Sequence, residues 1–171
     1  MAKRISLREY QQGVMDRLQS AAAVAQVDAR LGIMIGTENW LVDLADVAEV
    51  MPVPAVATVP LGFSWFKGVA NIRGNLVSVT DLPAFFSLNH AGFTSMSRLV
   101  LLQPRHLTHA AVLVNRMLGL KHLADLTPLP KTENAAPWLG DEYMDSIGQR
   151  WKTLNIAELV VQPSFLQTGI A

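Results

Sequence analysis

From Arg30 onward, apolar and polar positions fall into short runs of strand type, separated by glycine, proline and polar clusters. "RLGIMIG", 30–36, and "WLVDL", 40–44, predict two strands joined through the turn "TEN". "MPVPAVATVP", 51–60, carries Pro52, Pro54 and Pro60. Proline fixes φ and lacks the amide donor, so this stretch predicts an extended connector. "WFKGVANIRGNLVSVTDL", 65–82, predicts a hairpin with strands Phe66 to Arg73 and Leu76 to Leu82. Gly74 supplies the positive φ a tight turn requires. "TDLPAFFSL" predicts a short helix, with Thr80 or Asp81 as cap and Pro83 in its first turn. The polar loop "NHAGFTSMS", 89–97, is the best internal boundary. Strands "RLVLLQ", 98–103, and "HAAVLVN", 109–115, follow. "TPLPKTENAAP", 127–137, is a second connector, and "WKTLNIAELV" ends the pattern as strand then helix.

Ahead of these strands the period changes. In "SLREYQQGVMDRLQSAAAVAQ", 6–26, Leu7, Val14 and Ala21 recur every seven residues, with Gln11, Leu18 and Ala25 as the companion series. Ser6 and Glu9 make a capping box. Gly13 costs such a helix roughly 1 kcal/mol relative to alanine. The helix therefore needs its seam covered, laid against its own domain or paired with another chain. Residues 1–27 read as a helical extension and 28–171 as one domain, with intertwined units of about 30–88 and 98–165.

An internal repeat supports that division. Val42, Leu44, Val47 and Val50 match Val112, Val114, Met117 and Leu120 at an offset of 70 residues. "TDLPAFF" matches "LNIAELV" at an offset of 74. Two copies of one five-stranded unit follow, each with a hairpin, a proline-bearing connector, a second hairpin and a short helix. Strands this short favour small β-barrels over parallel sheets.

Composition narrows the function. Half of the 171 residues are hydrophobic and 16% are charged, enough for a core burying roughly 70% of the unfolded surface. Fourteen basic and fourteen acidic side chains cancel, and the longest basic cluster is Lys3-Arg4, which disfavours nucleic acid as a partner. The chain lacks cysteine, so it forms neither disulfides nor thiolate metal sites. It also lacks an 18-residue apolar run for membrane insertion, and its "MAKR" start does not lead into a signal peptide.

Candidate chemistry is sparse. P-loop, Gly-x-Gly-x-x-Gly and Gly-x-Ser-x-Gly patterns are missing. His106 and His109 lack a third ligand, and His90 and His122 add none at useful spacing, so no metal site is expected. "DEYMD" sets Asp141 and Asp145 one helical turn apart, which reads as a solvated acidic face. Asp43, Asp46 and Glu49 form a looser acidic group. A small-ligand-binding or carboxylate-based β-barrel enzyme stays as the alternative reading. Phe63, Trp65 and Phe66 are either core or interface anchors, and Trp138 and Trp151 are expected in the core. Arg73 is the open question: a phosphate clamp, half of an ion pair with Glu49, or a docking point.

"LADVAEVM", the proline-bearing connector and "FKGVANIRGNLVSVTDL" together resemble the CheW-like chemotaxis coupling family. The matching positions are Val47, Glu49 and Val50, then Lys67, Gly68, Val69, Asn71, Ile72, Arg73 and Gly74, then Asp81 and Leu82. Ser78 stands where that family usually has proline, Thr80 where it is apolar, and Asn115 where it has aspartate. The helical extension and the hairpin look most like the PilI-like subgroup, which works with type IV pili in twitching motility. The resemblance implies a mainly β fold of two intertwined five-stranded barrel-like units sharing a hydrophobic junction, with an N-terminal helix. It implies a cytoplasmic adaptor without catalysis or cofactor. Such adaptors bridge the cytoplasmic tip of a methyl-accepting chemoreceptor to the regulatory domain of a CheA-like histidine kinase. Val47, Glu49, Gly68, Asn71 and Arg73 would be the partner-binding positions. Self-association through the N-terminal helix is a further role open to it.

Overall fold

The computed structural model describes residues 7–89 and 92–169. Helix α1 (Leu7–Asp28) runs without a linker into β1 (Ala29–Ile35), which turns through Gly36 into β2 (Glu38–Asp43). A one-turn 3-10 segment, Leu44–Asp46, leads to β3 (Val47–Pro52), β4 (Val56–Ala57), β5 (Phe66–Ile72) and β6 (Asn75–Asp81), then α2 (Leu82–Phe85). The second half comprises β7 (Arg98–Leu102), β8 (Ala110–Val114), β9 (Arg116–His122), β10 (Thr127–Pro128), β11 (Leu139–Met144), β12 (Arg150–Leu154), α3 (Ile156–Val160) and α4 (Pro163–Leu166).

Two six-stranded sheets form, ordered β3-β7-β8-β6-β5-β4 and β10-β11-β12-β2-β1-β9. Hairpin β1–β2 thus lies in the sheet built mainly by the second half, and hairpin β7–β8 lies in the first. The joints are the parallel pairs β2–β12 and β6–β8. The expected five strands become six because each proline-bearing connector contributes a two-residue strand, β4 and β10. Pro54 and Pro60 around β4, and Pro128 and Pro130 in and after β10, keep these from growing. Neither sheet closes into a barrel: β3 and β4 are the edges of one, β10 and β9 of the other.

Strand register places the repeat in space. Val47 and Val50 pair with Leu102 and Val100, while Met117 and Leu120 pair with Ile33 and Leu31. Each edge strand carries its bulge at the same point, at Ala48 and at Leu118. Val42 pairs with Leu154 as Val112 pairs with Thr80. Asp81 caps α2 by accepting from the Ala84 amide at 3.0 Å. Asn155 caps α3 by accepting from the Glu158 amide at 3.1 Å.

The main core crosses from one sheet to the other. Leu31, Ile33, Ile35 and Val42 meet Val100, Leu102, Val112 and Val114, closed by Leu82, Ile156 and Leu159. Aromatic rings continue this junction: Phe86 stacks on Trp40 at 5.3 Å and on Trp138 at 5.6 Å. Phe85 packs edge-on against Trp65 and Phe165. Trp151 is buried in a smaller cluster with Leu41 and Leu126. Phe63, Trp65 and Phe66 are half-buried in ring contacts, so they are not free anchors. Asn115 replaces the aspartate expected by resemblance, yet supplies the same acceptor: its Oδ1 takes the Gly36 amide at 2.6 Å.

Helix α1 departs from one expectation. Residues 11–21 are exposed throughout, so over that span the seam is not laid against its own domain. Direct continuity with β1 explains this, because a fold-back would need residues between them. Ser6 of the capping box lies outside the described residues, as do the side chains of Leu7, Glu9 and Ala25.

Candidate partner-binding site

Arg73 sits in the β5–β6 turn, one residue beyond the strand that was expected to contain it. Arg73 and Gly74 have φ of 51° and 86°, the conformation of a type I′ hairpin turn. Holding a non-glycine residue there costs roughly 1 kcal/mol. Asn71 steadies the turn, its Oδ1 accepting the Gly74 amide at 2.9 Å.

The guanidinium reaches Glu49 on edge strand β3. Nη1 donates to Oε2 at 2.7 Å and Nη2 to Oε1 at 2.6 Å. Two strands, β7 and β8, lie between β3 and β6 in the sheet. The ion pair therefore spans a curled sheet and joins it by side chains where the backbone leaves it open. Arg73 remains 71% exposed and Glu49 33%. The bond from Arg73 holds the Glu49 carboxyl below its ordinary range, and Glu49 raises the guanidinium in turn. Beside the pair lies a 170 Å³ groove, lined by Ala48, Ile72, Val77, Leu101, Leu102 and Ala110. Together they offer a planar cationic fork beside an apolar concavity.

The other candidate residues serve the fold. Val47 is half-buried against the main core. Gly68 is buried with φ 121°, and a Cβ there would lie 1.9 Å from the Ala57 carbonyl oxygen. Its glycine answers to the close approach of β4. Glu49 and Arg73 thus meet, Asn71 fixes their turn, and Val47 and Gly68 lie elsewhere.

One functional-looking pair escaped sequence reasoning. Asp81 is fully buried, and the Lys67 ammonium lies 3.1 Å from its Oδ2. The visible signal was an aspartate ahead of Pro83 at a helix start; nothing local marked Lys67 as its partner. The groove was also invisible, since it is assembled from five strands.

The remaining candidates separate. Asp141 and Asp145 do not share a helical face, because β11 occupies 139–144. Asp145 accepts the Trp151 indole N–H at 3.0 Å and the amides of Ile147 and Gln149, which lower its pKa. His106 and Arg105 both converge on Asp46, at 2.6 and 2.8 Å, tying the β7–β8 loop to the 3-10 segment. Among the described residues no three His, Asp or Glu side chains gather for a metal, and His90 lies outside them. Among the described residues no helix is long and apolar enough to cross a membrane.

Comparison with known proteins locates this arrangement. The sequence model of the CheW-like domain matches residues 30–145. The chain is 28% identical over 93 residues to Protein PilI of Pseudomonas aeruginosa, covering 54% of this chain. The alignment spans about half of that relative, 51% of its length. The crystal structure of scaffolding protein TtCheW from Thermoanaerobacter tengcongensis superposes with a TM-score of 0.64 at 18% identity. That superposition covers 74% of this chain and 88% of the other, and carries the fold alone.

Proposed function

Because the chain belongs to the CheW-like domain family, we propose that it is a non-enzymatic adaptor of a chemosensory array. It couples the cytoplasmic tip of a methyl-accepting chemoreceptor to the regulatory domain of a CheA-like histidine kinase. Its similarity to Protein PilI supports a system that controls type IV pili and twitching motility. It acts in the cytoplasm, without cofactor or metal.

The observation that carries this reading is the Glu49–Arg73 pair beside its apolar groove. Glu49 takes two of the donors of the guanidinium and fixes its plane. The remaining donors face outward for a partner's carbonyl or carboxylate. An apolar side chain of the same partner fits the groove. Strain held in the turn at Arg73 is consistent with a residue kept for recognition.

Co-purification from the native cell tests this. Tagged wild-type chain should bring down a chemoreceptor and a histidine kinase, and Arg73→Ala should lose at least one of them. Recovery of neither partner by the wild type would overturn the reading. Deletion of the gene should abolish twitching while leaving pili assembled.

A further inference from the structure

The register that equates Glu49 with Gly119 directs attention to the corresponding corner of the second sheet. Here the ion pair is replaced by apolar side chains. Leu120 on edge strand β9 is 59% exposed, and Ile147 in the β11–β12 loop is 76% exposed. They line a 310 Å³ groove with Leu126, and its walls carry Asp125 and Asp145 together with Lys121 and His122. Two large apolar side chains this exposed form a surface that disfavours water, and with Lys121 set near Asp145, Asp125 is the carboxylate left to attract a cation.

Helix α1 has the complementary chemistry. Val14, Met15 and Leu18 are exposed by 39%, 57% and 61%. At 100° per residue, Val14, Leu18 and Ala21 share one stripe, Met15 and Arg17 flank it, and Asp16 lies on the opposite side. The stripe therefore presents apolar groups with a cation beside them and its acid turned away. The C-terminal end of the helix also lies next to the groove of its own chain. Asp28 Oδ2 accepts the Ala124 amide at 3.0 Å, and Ala124 directly precedes the groove residue Asp125. This bond and the direct entry into β1 fix the root of the helix. Residues 11–21 lie away from their own domain, so the stripe is free for another molecule.

We propose that the α1 stripe docks into the Leu120–Ile147 groove of a second copy of this chain, reciprocally, so that two chains exchange arms. Twenty-two residues give the arm a reach of roughly 33 Å. Val14 and Leu18 cover Leu120 and Ile147 of the other copy, and Arg17 approaches Asp125. The contact is self-complementary, as a two-fold dimer demands. It leaves the Glu49–Arg73 corner of both copies open, and it stands whether or not that corner binds a receptor or kinase.

Sedimentation equilibrium of the full chain tests this, with circular dichroism confirming each variant folded. Wild type should dimerise with concentration. Leu18→Asp and Ile147→Asp should each shift the protein to monomer. Arg17→Asp and Asp125→Arg should each weaken the dimer by about tenfold, and combining them should restore most of the loss. Loss of the dimer in Leu18→Asp but not in Ile147→Asp would mean helix-to-helix pairing and would overturn the proposal. So would a wild type that stays monomeric at every concentration, or a double charge variant no better than either single one.

Discussion

At the outer corner of the first sheet the bulged Ala48 is followed by Glu49; at the second the bulged Leu118 is followed by Gly119. The first hairpin turns in two residues, Arg73 and Gly74, held by Asn71. The second turns through residues 145–149, held by Asp145. The helix caps differ likewise: a buried aspartate with a lysine beside it in one sheet, a neutral asparagine in the other. One backbone plan thus carries an arginine–glutamate pair at one corner and, at the other, two exposed apolar side chains in its place. The plan requires an acceptor at each cap and a brace at each turn. It does not require ions, so the charges of the first sheet need a separate reason, and the recognition role proposed for Arg73 would supply one.

The largest effect should come at Gly68, beside the register shift between β5 and β6. Gly68→Ala forces a Cβ to 1.9 Å from a carbonyl oxygen at φ 121°, so a loss of about 3 kcal/mol or more is expected. Gly140→Ala, at the register shift between β11 and β12, meets Thr153 at 3.3 Å and should cost about 1 kcal/mol. Urea denaturation of both variants measures the difference; equal losses would break the contrast.

Lys67→Met comes next. It removes the ammonium beside the buried Asp81 carboxylate, for a cost of roughly 1–3 kcal/mol. Adding Asp81→Asn converts the first cap to the chemistry of the second and should return most of that loss. Failure of the double variant to recover would mean that Asp81 does more than cap α2.

Arg73→Ala should leave the melting temperature nearly unchanged, since the pair is exposed and screened by solvent. Its effect belongs in partner affinity. Arg73→Gly relieves the positive φ and should melt slightly higher than Arg73→Ala, with binding equally lost.

The smallest effect follows pH. Glu49 has its pKa lowered by Arg73, so its contribution is present above the ordinary carboxylate range and disappears as pH falls through the lowered folded value. The thermal melts of wild type and Glu49→Gln should differ slightly at neutral pH and converge in acid. A gap that widens on acidification would reverse the sign.

Much of this was legible locally. Asp81 with Pro83 marked a helix start, and the offsets of 70 and 74 residues marked the repeat. Glu49 and Arg73 were paired through the family pattern. The exchange of hairpins was not legible, because β2 meets β12 across more than 100 residues and alternation does not name a neighbour. The positive φ of Arg73 was hidden too: glycine signalled the turn, while the arginine carries half of it. Lys67 looked like part of a recognition motif, and only burial of Asp81 reveals its task.

The central claim is that one face of the chain bridges two proteins through Arg73. The direct measurement is co-sedimentation of purified chain with a chemoreceptor cytoplasmic fragment and a kinase regulatory domain from the same cell. Wild type should bring all three into one complex, and Arg73→Glu should leave the chain folded but the complex lost. A complex that forms equally well with Arg73→Glu, or a wild type that joins neither protein, would contradict the account.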